Sequence, residues 1–192
     1  MNNMRIAITG TIGSGKTTVS GYLREKGFYV FDADECNRSL LEKGNDGFLR
    51  VKESFPECFT NGDLDKKKLS SIIFSDKRKK ALLESLLHPL ILIEMYKEET
   101  KHPLFFAEIP LLFETGYENL FEKSLLIVTD NDVAIQRLLN RGMTKDEAES
   151  RISNQMAVEE KLQRADRIIY NNADINSLFI EVDKWLEELD VR

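Results

Sequence analysis

The chain has 192 residues, 42% of them hydrophobic and 31% charged, with a formal net charge of −6. That balance excludes a disordered chain, and the acidic sign argues against a general nucleic-acid binder. No apolar run approaches the ~20 residues of a membrane span, and the N-terminus lacks the pattern of a secretory leader. One domain with insertions is expected. Cys36 and Cys58 have no metal or redox spacing and read as two free thiols of a cytoplasmic protein.

Residues 5–9 read as a short buried strand. Gly10-Thr11-Ile12-Gly13-Ser14-Gly15-Lys16-Thr17 follows at once and fits G-x-x-x-x-G-K-[ST], the phosphate-binding loop. Residues 18–26 then read as a helix closed by Gly27. Strand, glycine loop and helix N-terminus together form an anion cradle, because backbone N–H groups turn inward and the helix dipole favours negative charge there. The expected ATP-binding residues are Thr11, Ile12, Gly13, Ser14, Gly15, Lys16, Thr17 and Thr18. Lys16 would reach the β- and γ-phosphates, and the Thr17 hydroxyl would hold Mg²⁺.

A second strand over residues 28–31 ends at Asp32-Ala33-Asp34. A mostly helical stretch continues to residue 100 and contains the basic run 77–80. Apolar residues at 82, 83, 86, 87, 90 and 91 keep helical spacing, with Pro89 expected to kink or interrupt the helix. Further strands are expected over 104–109, 124–128 and 167–170. Apolar strands separated by helices indicate a parallel sheet covered on both faces, with ligands beyond the carboxyl ends of its strands. That rule gathers the glycine loop, Asp32, Asp34, Glu108 and Asp130 at one edge.

Asp32 and Asp34 are two residues apart, so an extended chain points both to one face. Phosphoryl transfer needs a carboxylate to take the acceptor's proton and oxygen ligands around Mg²⁺. Asp34 reads either as that base or as the N-cap of a helix starting at Glu35, and Asp32 either as a metal-shell ligand or as a structural residue. An arginine-rich helical segment spans 136–167. Arg137 and Arg141 share a face, as do Arg151 and Gln155, and Lys161 and Arg164 follow. Guanidinium groups from a closing lid stabilise charge on a transferring phosphoryl group, and Gly142 offers a hinge. Surface pairs Glu147–Arg151 and Glu160–Arg164 are the alternative. Arg141 has no such acid and is the arginine expected to contact phosphate.

These blocks resemble the dephospho-CoA kinases. The resemblance lies in residues 8–19 around the phosphate loop, Asp32-Ala33-Asp34, Leu86-Leu87-His88-Pro89 and Pro110-Leu111-Leu112-Phe113-Glu114. It continues in the spacing Gln136-Arg137-Leu138, Arg141, Arg151 and Gln155, and in Ala165-Asp166-Arg167-Ile168-Ile169-Tyr170-Asn171-Asn172. It implies an α/β P-loop three-layer sandwich with a five-stranded parallel sheet, a helical substrate domain and a helical lid. The core would comprise residues 1–34, 104–136 and 165–192, the insertion about 60–100 and the lid about 137–164. It also implies Mg²⁺-dependent transfer of the ATP γ-phosphate to the ribose 3′-hydroxyl of dephospho-CoA. Lys16, Asp34 and Arg141 would be catalytic, with Asp34 as the base. Asn171 would lie near the nucleotide base, Asp34, His88 and Leu112 near the acceptor, and Thr17 and Asp32 at the metal. Without the resemblance His88 is a helix-kink residue and Asn171 closes a turn. Thr11 stands where that family usually has a second glycine. Glu108 reads either as the acceptor of a metal-bound water or as the partner of a lid arginine.

Overall fold

A computed structural model describes residues 4–189. The chain divides into two compact units, one formed by the chain up to Phe31 together with His102 onward, the other by Asp32–Lys101.

In the first unit, β1 (Met4–Gly10) leads through the glycine loop into α1 (Lys16–Glu25), and β2 (Val30–Asp32) follows. In the second lie α2 (Ala33–Leu40), α3 (Asp46–Ser54), the short strands β3 (Phe59–Thr60) and β4 (Asp63–Leu64), α4 (Lys66–Ser75) and α5 (Lys77–Glu99). The first unit resumes with β5 (Leu104–Glu108), β6 (Lys123–Val128), α6 (Asn131–Asn140), α7 (Lys145–Ser153), α8 (Val158–Arg164), β7 (Arg167–Tyr170) and α9 (Ile175–Glu188). The main sheet has the order β2-β5-β1-β6-β7, and β1 pairs in parallel with both β5 and β6, as β6 does with β7.

The strands read as unbroken apolar runs because alternate side chains enter two different cores. Ile6, Ile8, Leu125, Ile127 and Ile169 face α1 and α9 and meet Val19, Leu23, Leu178, Val182 and Trp185. Their neighbours Ala7, Leu126, Val128 and Ile168 face the other way, toward Leu112, Phe113 and Leu162. Asp166 ties the starts of β6 and β7 by accepting from both the N–H (2.8 Å) and the hydroxyl (2.7 Å) of Ser124.

The Asp32–Lys101 unit has its own core of Val51, Phe55, Cys58, Leu69, Leu83 and Leu87. Aspartates cap two of its helices, α4 and α5: Asp65 accepts from Lys68 N–H, and Asp76 from the N–H groups of Arg78 and Lys79. α5 runs on through Pro89, so the expected interruption does not occur. Leu83 and Leu87 before the proline and Leu90 and Met95 after it are all buried, and that packing outweighs one missing hydrogen bond. The β3–β4 hairpin falls in a stretch expected to be mostly helical. Its turn is Asn61-Gly62, both at positive φ (53° and 84°), which is the dipeptide that two-residue hairpin turns demand.

Cys36 is half-buried on α2, and burial together with the charges of Glu94 and Asp32 pushes its thiol up to about 11. Only the thiolate is nucleophilic. Alkylation of Cys36 by iodoacetamide should therefore be slow at pH 8 and rise about tenfold per pH unit up to about pH 11. Peptide mass spectrometry reads this directly, and a plateau near pH 9 would contradict the assignment.

Candidate active site

The glycine loop is shaped from both ends. Thr11 N–H still bonds Ile127 O at 3.1 Å, continuing the β1–β6 ladder, while Ser14 N–H turns back onto Thr11 O at 3.2 Å. Gly15 has φ +95°, and a Cβ there would lie 2.6 Å from the amide nitrogen of Asn171, so conformation and space both require glycine. Thr11 needs no such freedom, because Asn61 is the one non-glycine residue with positive φ among those described. α1 then begins at Lys16 with no side-chain cap on its first turn. Its leading N–H groups therefore face the loop as anion donors.

Three side chains far away in sequence brace this loop. Asn171, buried just beyond β7, donates its amide to Ser14 O at 2.7 Å. Arg137, on α6, donates to Gly13 O at 3.1 Å and to Asn171 O at 3.0 Å. Gln155, between α7 and α8, accepts from Ile12 N–H at 2.9 Å. With the carbonyls of Gly13 and Ser14 occupied by these donors, the peptide planes of the loop are fixed before any ligand arrives. Asn172 accepts from the Thr129 hydroxyl and Asp130 N–H, closing the turn into α6. Sequence spacing placed Arg137 with Arg141 on one helix face, but it gave no sign that Arg137 holds the loop.

Thr17, in the first turn of α1, donates its hydroxyl to Glu108 Oε1 at 3.1 Å. Glu108 ends β5 and is 6% exposed, and its Oε2 is buried without a protein partner. A hydroxyl that gives its proton to a carboxylate keeps its lone pairs for a hard cation, and these oxygens fit magnesium. Among the described residues no group of three or more His, Cys, Asp or Glu could hold a metal. A magnesium ion beside Thr17 and Glu108 would keep waters and phosphates among its ligands.

In the other unit, Asp32 is the N-cap of α2 and accepts from Glu35 N–H at 2.9 Å. The helix therefore starts at Ala33, and the capping role considered for Asp34 belongs to Asp32. Asp34 sits exposed in the first turn of α2, so the extended-chain argument that aimed both aspartates one way does not apply to it. His88 is half-buried in the middle of α5. Leu112 is fully buried in the core on one face of the sheet, so its side chain does not reach the surface.

The arginine-rich segment divides into two kinds of cation. Arg141 ends α6, and both it and Arg151 on α7 are exposed. The surface pairs considered for the others do not form as expected. Glu147 belongs to a capping box with Thr144, whose hydrogen bonds hold its carboxyl below the usual range. Arg164 pairs with Glu118 and lies 5.2 Å over the Phe113 ring. Lys161 is not a surface cation at all: it is 0% exposed, with its ammonium 2.6 Å from Glu114 Oε1. The two groups are not aligned as a hydrogen bond, so the contact is an ion pair. Glu114 also accepts from Met156 N–H at 3.4 Å.

Comparison with known proteins agrees over nearly the whole chain. Residues 4–177 match the family model CoaE, dephospho-CoA kinase. A dephospho-CoA kinase from Fusobacterium nucleatum is 36% identical, the match covering 98% of this chain and 100% of that protein. Among solved structures, TT1252 from Thermus thermophilus superposes with a TM-score of 0.89 at 34% identity, covering 98% of this chain and 99% of that one. Dephospho-CoA kinase from Campylobacter jejuni does so with a TM-score of 0.70 at 29% identity, covering 96% of each chain.

Proposed function

Since the chain belongs to the dephospho-CoA kinase family, we propose that it moves the γ-phosphoryl group of ATP onto the ribose 3′-hydroxyl of dephospho-CoA, with Asp34 as the proton acceptor. The observation that carries the donor half is the braced loop of residues 10–17, with Thr17 set against Glu108. In the transfer, the bond between the γ-phosphorus and the β–γ bridging oxygen breaks as a bond from the 3′-oxygen forms. The 3′-hydroxyl proton passes to the Asp34 carboxylate, and ADP leaves.

The loop N–H groups and Lys16 hold the phosphates in line, and Arg141 neutralises charge developing on the γ-phosphoryl oxygens. The Thr17 hydroxyl and the unpartnered oxygen of Glu108 would hold the Mg²⁺ that accompanies ATP, and the ion would supply neutralisation of phosphate charge. Asp32 supports this chemistry by capping α2, whose first turn carries Asp34. His88 and the backbone around Leu112 serve the acceptor. No helix among the described residues is long and apolar enough to cross a membrane, which accords with a cytoplasmic enzyme acting on small molecules.

The test is an ATP assay with dephospho-CoA run beside AMP, shikimate and gluconate. Dephospho-CoA should be strongly preferred, with the new phosphate at the 3′-position by mass and by release with a 3′-nucleotidase. Preference for another acceptor would overturn the substrate assignment. Asp34→Asn should bind ATP normally and turn over about 10²-fold or more slowly. Unchanged turnover would remove Asp34 from its role as base.

A further inference from the structure

The geometry points to Gln155 as a reader of the ATP γ-phosphate, a role that rests on the ATP-dependent reaction proposed above. A backbone N–H can only donate, so the Gln155 atom 2.9 Å from Ile12 N must be the amide oxygen. That contact fixes the orientation of the amide group, leaving its NH₂ free to donate beside the loop. Ile12 N–H belongs to the phosphate loop, and Gln155 occupies it. With Gln155 upon it, the cradle gains a side-chain donor at this end in place of one backbone donor.

The end in question is the one nearest the terminal phosphate. Lys16, whose ammonium reaches the β- and γ-phosphates, has its Nζ 3.4 Å from Gly10 O. Gly10 lies two residues before Ile12, at the opposite end of the loop from the helix N-terminus. Gln155 is held there by its own neighbourhood. Met156 N–H bonds Glu114, which is ion-paired to the buried Lys161, so the chain immediately after Gln155 is anchored. A half-buried amide on so short an anchored segment has little rotamer freedom to lose when a phosphate oxygen arrives. ADP, lacking the terminal group, does not reach this donor.

The experiment compares ADP with a non-hydrolysable ATP analogue, adenylyl imidodiphosphate, by calorimetry on wild type, Gln155→Glu and Gln155→Ala. Gln155→Glu keeps the acceptor for Ile12 N–H but replaces the donor with a negative charge. It should weaken the analogue at least about tenfold while ADP affinity stays within about twofold. Gln155→Ala should weaken the analogue preferentially as well, and both variants should lower kcat with unchanged melting temperature. Equal losses for ADP and the analogue would show that Gln155 is only a strut of the loop and overturn the proposal. So would wild-type analogue binding in Gln155→Glu. The nucleotide measurements need no acceptor, so failure of wild type to phosphorylate dephospho-CoA would strike the acceptor assignment alone.

Discussion

Lys16→Ala should lower kcat by about 10³-fold or more while the protein melts within a few degrees of wild type. Lys16 opens α1 immediately after Gly15, and its ammonium lies at the loop end near Gly10 O. In the reaction proposed above, charge grows on the transferring phosphoryl group there, and a preorganised donor is worth most where water is excluded. Stability should barely move because the loop's shape rests on other contacts: Asn171 on Ser14, Arg137 on Gly13 and the Thr11–Ile127 ladder bond. Lys16→Arg should not rescue the enzyme, since a planar guanidinium does not replace a compact ammonium inside a turn of glycines. A coupled ATPase–acceptor assay beside a thermal melt measures both quantities. Wild-type turnover in Lys16→Ala would remove the phosphate-loop assignment.

The features legible in the sequence are those written in neighbouring residues. β1, the glycine loop and α1 follow from one continuous run, Met4–Glu25, because each needs only its own periodicity and the conformational freedom of Gly15. The five sheet strands were readable for the same reason, each being a short unbroken apolar run between helices. The β3–β4 hairpin was missed although Asn61-Gly62 signals it, because strands of two residues carry no alternation to set against the surrounding helical pattern. The capping of α2 was displaced by two residues for want of any local mark separating Asp32 from Asp34.

Other parts of the candidate site were not readable at all. Gln155 meets Ile12 across 143 positions, and Arg137 meets Gly13 across 124. Such contacts leave no period and no composition bias, since a glutamine or an arginine looks the same in sequence whether it faces solvent or a loop. Lys161 is the extreme case. In sequence it merely follows the arginines of the expected lid, yet it is a cation that the fold buries completely.

That burial makes Lys161 the site of the second large effect. Lys161→Met should cost about 3–5 kcal/mol, because it leaves the Glu114 carboxylate facing an apolar neighbour. For a chain of this size that corresponds to a melting temperature lowered by about 10 °C. Glu114→Gln should cost at least as much. It strands an ammonium that is 0% exposed, whereas the Glu114 side chain is 20% exposed and can draw on water. The combined Lys161→Met, Glu114→Leu variant should recover most of the loss, since removing both charges removes the desolvation problem that each single change creates. Additive losses in the double variant would mean that the pair contributes nothing by being a pair. Recovery of stability should not restore turnover, however. Leucine cannot accept from Met156 N–H, so the segment carrying Gln155 loses one of its anchors. A double variant that melts like wild type but phosphorylates slowly would thus separate what the pair does for folding from what it does for the phosphate loop.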